Sequence, residues 1–123
     1  MSDAFAFVRR RSLLKPKIGV ILGSGMGGFA NALSDAVRIP YEEIPGFPIS
    51  TAIGHAGKLL LGELDGLPLV VMAGRFHLYE GYTAQQVACG VRLFRELGVK
   101  QMVLTNAAGG INTSFAAGDL MVI

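Results

Sequence analysis

The feature that most constrains this chain is an apolar run, Leu67-Pro68-Leu69-Val70-Val71-Met72-Ala73, that breaks into Gly74-Arg75-Phe76-His77-Leu78-Tyr79-Glu80-Gly81. The run reads as a β-strand. Cation, imidazole, phenol and carboxylate leave its end within six residues. In α/β sheets, ligands dock at such strand ends. Arg75 and His77 are two apart, so an extended backbone points them the same way. Guanidinium and imidazole donors together suit a small oxyanion, because both give charge-assisted hydrogen bonds. Taken alone, the segment reads equally well as a surface turn whose charges solvate it.

Two further segments favour the anion. Gly23-Ser24-Gly25-Met26-Gly27-Gly28 follows the apolar Ile18-Gly19-Val20-Ile21-Leu22 and opens into Phe29-Ala30-Asn31-Ala32-Leu33. This is strand, glycine loop and helix. Backbone N–H groups at the helix start, with Ser24 Oγ nearby, make a phosphate cradle. The loop also fits G-x-G-x-x-G, the dinucleotide fingerprint, which calls for a second strand ending in an acid about 20 residues on. The stretch there, Ile39-Pro40-Tyr41-Glu42-Glu43-Ile44-Pro45-Gly46, has acids, but its two prolines argue against an ordinary central strand. No Gly-Lys-Ser/Thr follows, so the P-loop pattern fails. The other segment is Thr105-Asn106-Ala107-Ala108-Gly109-Gly110, after the strand-like Gln101-Met102-Val103-Leu104. Its small residues leave backbone exposed and room for a compact ligand, or allow tight packing on neighbouring backbone.

With Gly54-His55-Ala56-Gly57 and Ala117-Gly118-Asp119-Leu120-Met121, these segments resemble the purine nucleoside phosphorylases of the trimeric, inosine/guanosine-cleaving class. The resemblance runs from about Lys17 to Ile123, in family order. It implies an α/β fold: a mixed β-sheet with flanking helices in the three-layer nucleoside-phosphorylase-like architecture, here truncated. It also implies residue roles. Ser24 would donate to inorganic phosphate, His55 would border the same anion, and Arg75 would hold it electrostatically. Phe76 would contribute only backbone to that segment. His77 would hydrogen-bond the phosphate, oriented by Glu80, and these two would be the catalytic pair. The Ala107 N–H would complete the cradle. Tyr79 would touch the ribose, and Ala108 and Gly109 would lie near the base.

The implied reaction is phosphate-dependent cleavage of the N-glycosidic bond of purine (deoxy)ribonucleosides, giving free base and (deoxy)ribose 1-phosphate. The sugar passes through an oxocarbenium-like state, as in glycoside cleavage. Positioning can supply roughly 7–11 kcal/mol of such a barrier. Neither a protein nucleophile nor a cofactor is required; inorganic phosphate is a co-substrate. The resemblance further implies a homotrimer and a 6-oxopurine. Family members are about twice as long, and their remaining half carries the main base-recognising residues, so little turnover is expected from these residues alone. Two other readings stay open. One is a non-catalytic module that binds phosphate or nucleotide and needs a complementary C-terminal half. The other is a dinucleotide-dependent oxidoreductase domain, read from the glycine loop alone.

Composition narrows the remaining classes. The chain has 123 residues, 51% hydrophobic and 16% charged, enough for one core but not two. The expectation is therefore a single domain over 1–123, the N-terminal part of a phosphorylase-like domain, with residues 1–16 as a helical extension. A net charge of +2 with one basic cluster, Arg9-Arg10-Arg11, argues against nucleic-acid binding. Apolar runs are strand-sized and too short to span a bilayer. No signal-like stretch follows the arginines, so the cytoplasm is the default location. Cys89 is the sole cysteine and reads as a small core residue. Two histidines, one cysteine and no close ligand pair make a zinc site improbable.

The coarse pattern gives a helix over about 3–14, a strand over 17–22, a short helix over 27–34, and an irregular, loop-like 38–57. A hairpin follows, with strands near 58–64 and 67–73 joined at Asp65-Gly66, a favoured two-residue turn. A helix spans 83–97, started by a Thr83/Gln86 capping box and stopped by Gly98, with Val87, Val91, Phe94 and Leu97 on its core face. Strands near 101–105 and 119–123 finish the chain.

Overall fold

A computed structural model of the chain describes residues 1–49 and 57–123; His55 therefore lies outside the described residues. In chain order the elements are α1 (Asp3–Arg11), β1 (Ile18–Leu22), a 3-10 helix (Gly27–Ala32), β2 (Ser34–Pro40), a 3-10 turn (Tyr41–Glu43), β3 (Lys58–Leu64) and β4 (Leu67–Ala73). Another 3-10 turn (Leu78–Glu80), α2 (Ala84–Val87), α3 (Cys89–Leu97) and β5 (Gln101–Leu104) follow. The five described strands form one sheet in the order β2-β3-β4-β1-β5. β1 is parallel to both β4 and β5, whereas β2, β3 and β4 are successively antiparallel, so the sheet is mixed as expected.

The β3–β4 hairpin turns at Asp65 (φ 50°) and Gly66 (φ 76°), the paired left-handed conformation of a type I′ turn. β4 is apolar on both sides because both sides are covered. Val70 and Met72 join a core cluster with Val8, Ile21, Leu93 and Phe94, while Leu69, Val71 and Ala73 join a second one with Val20, Leu22, Leu33 and Leu60. α3 lies so close to the sheet that a Cβ on Gly19 would come 2.3 Å from the Phe94 ring, and one on Gly90 2.1 Å from Met72 Sδ. α1 adds Ala4 and Val8 to the first cluster. The Ser2 hydroxyl caps α1 by accepting from Phe5 N–H at 3.2 Å, and the Ser2 N–H donates to Glu96 Oε1 at 2.7 Å.

Several expectations change. α1 stops at Arg11, where Ser12 turns extended, short of residue 14. The expected helix at 27–34 is a six-residue 3-10 helix, and Ser34 already begins β2. β2 accepts Pro40 because it is an edge strand and the proline closes it. Its irregular start, with Asp35 at φ 49°, rises over Gly62, whose missing side chain leaves room for Ser34 and Ala36. The helix over 83–97 breaks at Ala88 into α2 and α3. Its Thr83/Gln86 capping box and Gly98 stop (φ 92°) are as read. Of the expected core face, Phe94 and Leu97 are buried and Val87 packs against the core, but Cys89, Gly90 and Leu93 complete the stripe and Val91 is 40% exposed. Residues 119–123 form no strand: no described strand lies alongside to supply a ladder, and Leu120, Val122 and Ile123 are fully exposed.

Candidate functional site

Parallel pairing decides what meets at the sheet edge. Leu22 is in register with Ala73, and Ile21 with Leu104, so β1, β4 and β5 end side by side. Gly23, Gly74 and Thr105 therefore leave the sheet as neighbours.

Thr105 ties these exits together. Its N–H donates to Ile21 O at 3.0 Å. Its hydroxyl accepts from Gly23 N–H at 2.9 Å and donates to Ile21 O at 3.3 Å. Its carbonyl accepts from Arg75 Nη1 at 3.1 Å. The contact with β1 is close: a Cβ on Gly23 would lie 2.4 Å from Thr105 O. Beyond Gly23 the chain turns, with Met26 N–H donating to Gly23 O at 3.3 Å and Gly25 at φ 84°. A left-handed third residue is what glycine supplies to such a turn. Ser24 stands exposed at its tip. Only a short 3-10 helix follows, so the exposed backbone N–H groups here belong to the turn rather than to the start of an α-helix.

At the end of β4, Gly74 takes φ 102° and Arg75 and His77 emerge on one side, with Arg75 Nε donating to His77 Nε2 at 3.4 Å. Glu80 Oε2 accepts both the His77 N–H at 2.8 Å and Nδ1 at 2.9 Å. A carboxylate only accepts, so the tautomer that suits this contact has its proton on Nδ1, with Nε2 turned to Arg75. The Glu80 side chain is 4% exposed and that of His77 17%. The Leu78–Glu80 turn, closed by Gly81 at φ 87°, brings the carboxylate back over His77. Tyr79 is 78% exposed and stacks on the His77 ring, centroids 4.6 Å apart.

Phe76 points the opposite way. It is buried against Tyr41, Phe47 and Tyr82, at centroid distances of 5.0, 6.0 and 6.2 Å. Tyr41 is buried too, and its hydroxyl donates to Gly74 O at 2.7 Å. Burial pushes the Tyr41 phenol well above its usual range, so it remains a donor. Ala107, Ala108 and Gly109 are exposed on the segment that leaves Thr105, and Asn106 Nδ2 donates to Ala107 O at 3.2 Å.

Sequence reasoning thus placed Arg75, His77, Glu80 and Tyr79 in one short segment, and the structure gathers Arg75, Glu80 and Tyr79 each against His77. Ser24 and Ala107 belong to the two chain exits joined by Thr105. Thr105 and Tyr41 were not among the candidates. The signal for Thr105 was a hydroxyl at a strand end; Tyr41 gave none beyond being aromatic. A separate groove of about 540 Å³ opens between α1, the Pro45–Phe47 bend and α3, beside Cys89, Arg92 and Arg95, and none of the described candidate residues lines it. Among the described residues, no three His, Cys, Asp or Glu side chains gather as a metal site would require, and no helix is long and apolar enough to cross a membrane.

Comparison with known proteins bears on this arrangement. Purine nucleoside phosphorylase 1 of Geobacillus stearothermophilus is 50% identical over 123 residues, all of this chain and 45% of that protein. The Bos taurus purine nucleoside phosphorylase is 53% identical over 109 residues, 89% of this chain and 38% of that protein. Isoform 2 of the Schistosoma mansoni enzyme, solved with cytosine and ribose-1-phosphate, superposes with a TM-score of 0.85 at 43% identity, covering 95% of this chain and 41% of that one. The chain spans under half the length of these relatives. The profile of the Phosphorylase superfamily matches residues 17–123, from the start of the sheet through the segment beyond Thr105, and the chain belongs to that superfamily.

Proposed function

We propose that this chain carries the phosphate-binding half of a purine nucleoside phosphorylase. The whole protein transfers a pentosyl group from a purine nucleoside to inorganic phosphate, releasing free base and (deoxy)ribose 1-phosphate. The observation that carries this reading is the meeting of the glycine turn, Arg75 and the His77–Glu80 pair around Thr105.

In this reading Arg75 supplies the fixed positive charge for the anion. Ser24 and the Ala107 N–H donate from the two exits on either side, and His55 borders the anion. Glu80 fixes the tautomer and tilt of His77, so that Nε2 meets a phosphate oxygen beside the guanidinium. A phosphate hydroxyl can then donate to Nε2, or a protonated ring can donate to a phosphate oxygen. Holding phosphate in one orientation against the sugar is what a dissociative pentosyl transfer demands of a protein. Tyr79, exposed and stacked on His77, would meet the ribose, with Ala108 and Gly109 nearer the base. Phe76 contributes its backbone only, its ring being part of the core.

The protein would act in the cytoplasm in purine salvage. It would assemble as a homotrimer at full length, as the N-terminal part of one phosphorylase-like domain. It would use no cofactor and bind neither nucleic acid nor membrane. The 123-residue chain would bind phosphate and turn over little.

Calorimetric titration with inorganic phosphate, alongside phosphate-dependent release of hypoxanthine from inosine, tests this. Saturable phosphate binding that Arg75→Ala removes supports the proposal. Binding with no cleavage, in the chain and in a full-length relative carrying the same residues, would leave only a non-catalytic phosphate module. Absence of phosphate binding would refute the site.

A further inference from the structure

We infer that Thr105 is a positioning residue which holds the glycine turn and Arg75 in one frame, an inference that rests on the phosphate reading above. The two parts of that site come from strands that do not need each other locally. The turn at Gly23 continues β1, and Arg75 continues β4. Register between β1 and β4 fixes their strands up to Leu22 and Ala73, but beyond those residues the ladder ends. A rigid anion site needs the next residues held as well.

Thr105 does this from the opposite neighbour of β1. Its hydroxyl engages Gly23 N–H, the residue beside Ser24, and its carbonyl engages the Arg75 guanidinium. One residue thus accepts a hydrogen bond from each half of the site, through two different oxygens. A second hydroxyl bond, to Ile21 O, fixes the rotamer that makes the Gly23 contact. Gly23 is buried, so water cannot replace the hydroxyl readily there. The missing Cβ of Gly23 lets β1 and β5 approach closely enough for both bonds to form. The carbonyl also draws one guanidinium nitrogen, Nη1, toward β5 while Nε faces His77. The plane of the guanidinium is therefore set from two sides before any anion arrives, which is the preorganisation an electrostatic site requires.

The roles of the two oxygens separate experimentally. Thr105→Val keeps the shape and the carbonyl but removes the hydroxyl; Thr105→Ser restores it. The expected result is phosphate affinity about 3- to 10-fold weaker in the valine variant, the range one neutral hydrogen bond spans, and recovery to within about two-fold in the serine variant. A valine variant with a lower melting temperature but unchanged phosphate affinity would make Thr105 purely structural and overturn the inference. So would equal weakening in both variants, since the hydroxyl would then not be the cause. If the valine variant fails to fold, hydrogen exchange of the Gly23 amide in the unmodified chain decides instead. Slow exchange there supports the contact, and exchange as fast as at exposed Gly27 refutes it. Arg75→Ala distinguishes the two levels. If it abolishes binding while both Thr105 variants bind normally, the phosphate site stands and the Thr105 role falls; if the unmodified chain binds no phosphate, both fall.

Discussion

Gly23→Ala is the sharpest probe of how this site is built. The substitution changes one atom, and the structure fixes where that atom goes. The new Cβ would sit 2.4 Å from Thr105 O, 2.9 Å from Asn106 Cα and 3.0 Å from Thr105 C. All three neighbours are backbone atoms, so no side-chain rotation relieves the contact. Carbon and carbonyl oxygen tolerate about 3.3 Å, so the end of β5 must retreat by about 1 Å. That retreat strains two bonds to Thr105, from Gly23 N–H at 2.9 Å and from Arg75 Nη1 at 3.1 Å. Overpacking of this kind costs about 1–3 kcal/mol, and weakening a hydrogen bond to a charged group adds about 1 kcal/mol. The expected loss is about 2–4 kcal/mol in urea unfolding, with phosphate affinity falling in parallel. Two neighbours serve as controls. Gly25 has open space around its Cβ position but φ 84°, so Gly25→Ala should cost about 1–2 kcal/mol from backbone strain alone. Gly27 has open space and no left-handed φ, so Gly27→Ala should be neutral within about 0.5 kcal/mol. If Gly23→Ala unfolds at the same urea concentration as Gly27→Ala, β1 and β5 do not approach as closely as described and the coupling through Thr105 fails with them.

Three further outcomes are expected. Tyr41→Phe keeps the ring in its aromatic cluster but orphans the buried Gly74 carbonyl, costing about 1–3 kcal/mol by chemical unfolding; a change below about 0.5 kcal/mol would mean the 2.7 Å bond contributes nothing net. Glu80→Ala removes the acceptor of both the His77 N–H and Nδ1, and should weaken phosphate binding about 5- to 20-fold by calorimetry while nucleoside-independent folding persists; unchanged affinity would detach the pair from the anion. Burial raises the Cys89 thiol from 9.0 to about 11, so it stays protonated in the folded chain at neutral pH. The unfolded thiol ionises first, so the stability it contributes is complete below pH 9 and is lost as pH rises toward 11. Alkylation should accordingly be slow near pH 8 until denaturant is added, and equal rates in both conditions would contradict the burial.

The parts of the fold that were legible are those where local chemistry and tertiary role coincide. Asp65-Gly66 is a turn by its own backbone preference, and the strands on either side of it needed only to be apolar. Thr83 with Gln86, and Gly98, mark helix ends through capping that involves no distant residue. β2 was misread because its character is tertiary. Pro40 is tolerable only at the end of an edge strand, and Asp35 at a positive φ only because Gly62 yields space across the sheet. On α3, Phe94 and Leu97 hold the expected core face, but Gly90 and Leu93 are buried where Val91 was expected, for a similar reason. Gly90 has no apolar side chain to register, yet Met72 requires that position to be bare. Val91 is apolar but half turned to solvent.

The candidate site divides along the same line. Arg75, His77, Tyr79 and Glu80 could be grouped from sequence because spacing of two or three residues after a strand confines them to one short turn, whatever the sheet does. Glu80 returning to His77 over a 3-10 turn is a local event. Nothing local relates Gly23 to Thr105, which are 82 residues apart. Their contact depends on β5 choosing β1 as its neighbour, in parallel, and in the register that sets Ile21 against Leu104. A one-residue slip would turn Thr105 to the other face of the sheet and separate both of its oxygens from the groups they now hold. The charged members of an anion site can therefore be read from a short motif, whereas its joint cannot, because a threonine at a strand end acquires that role only from the pairing order of three strands.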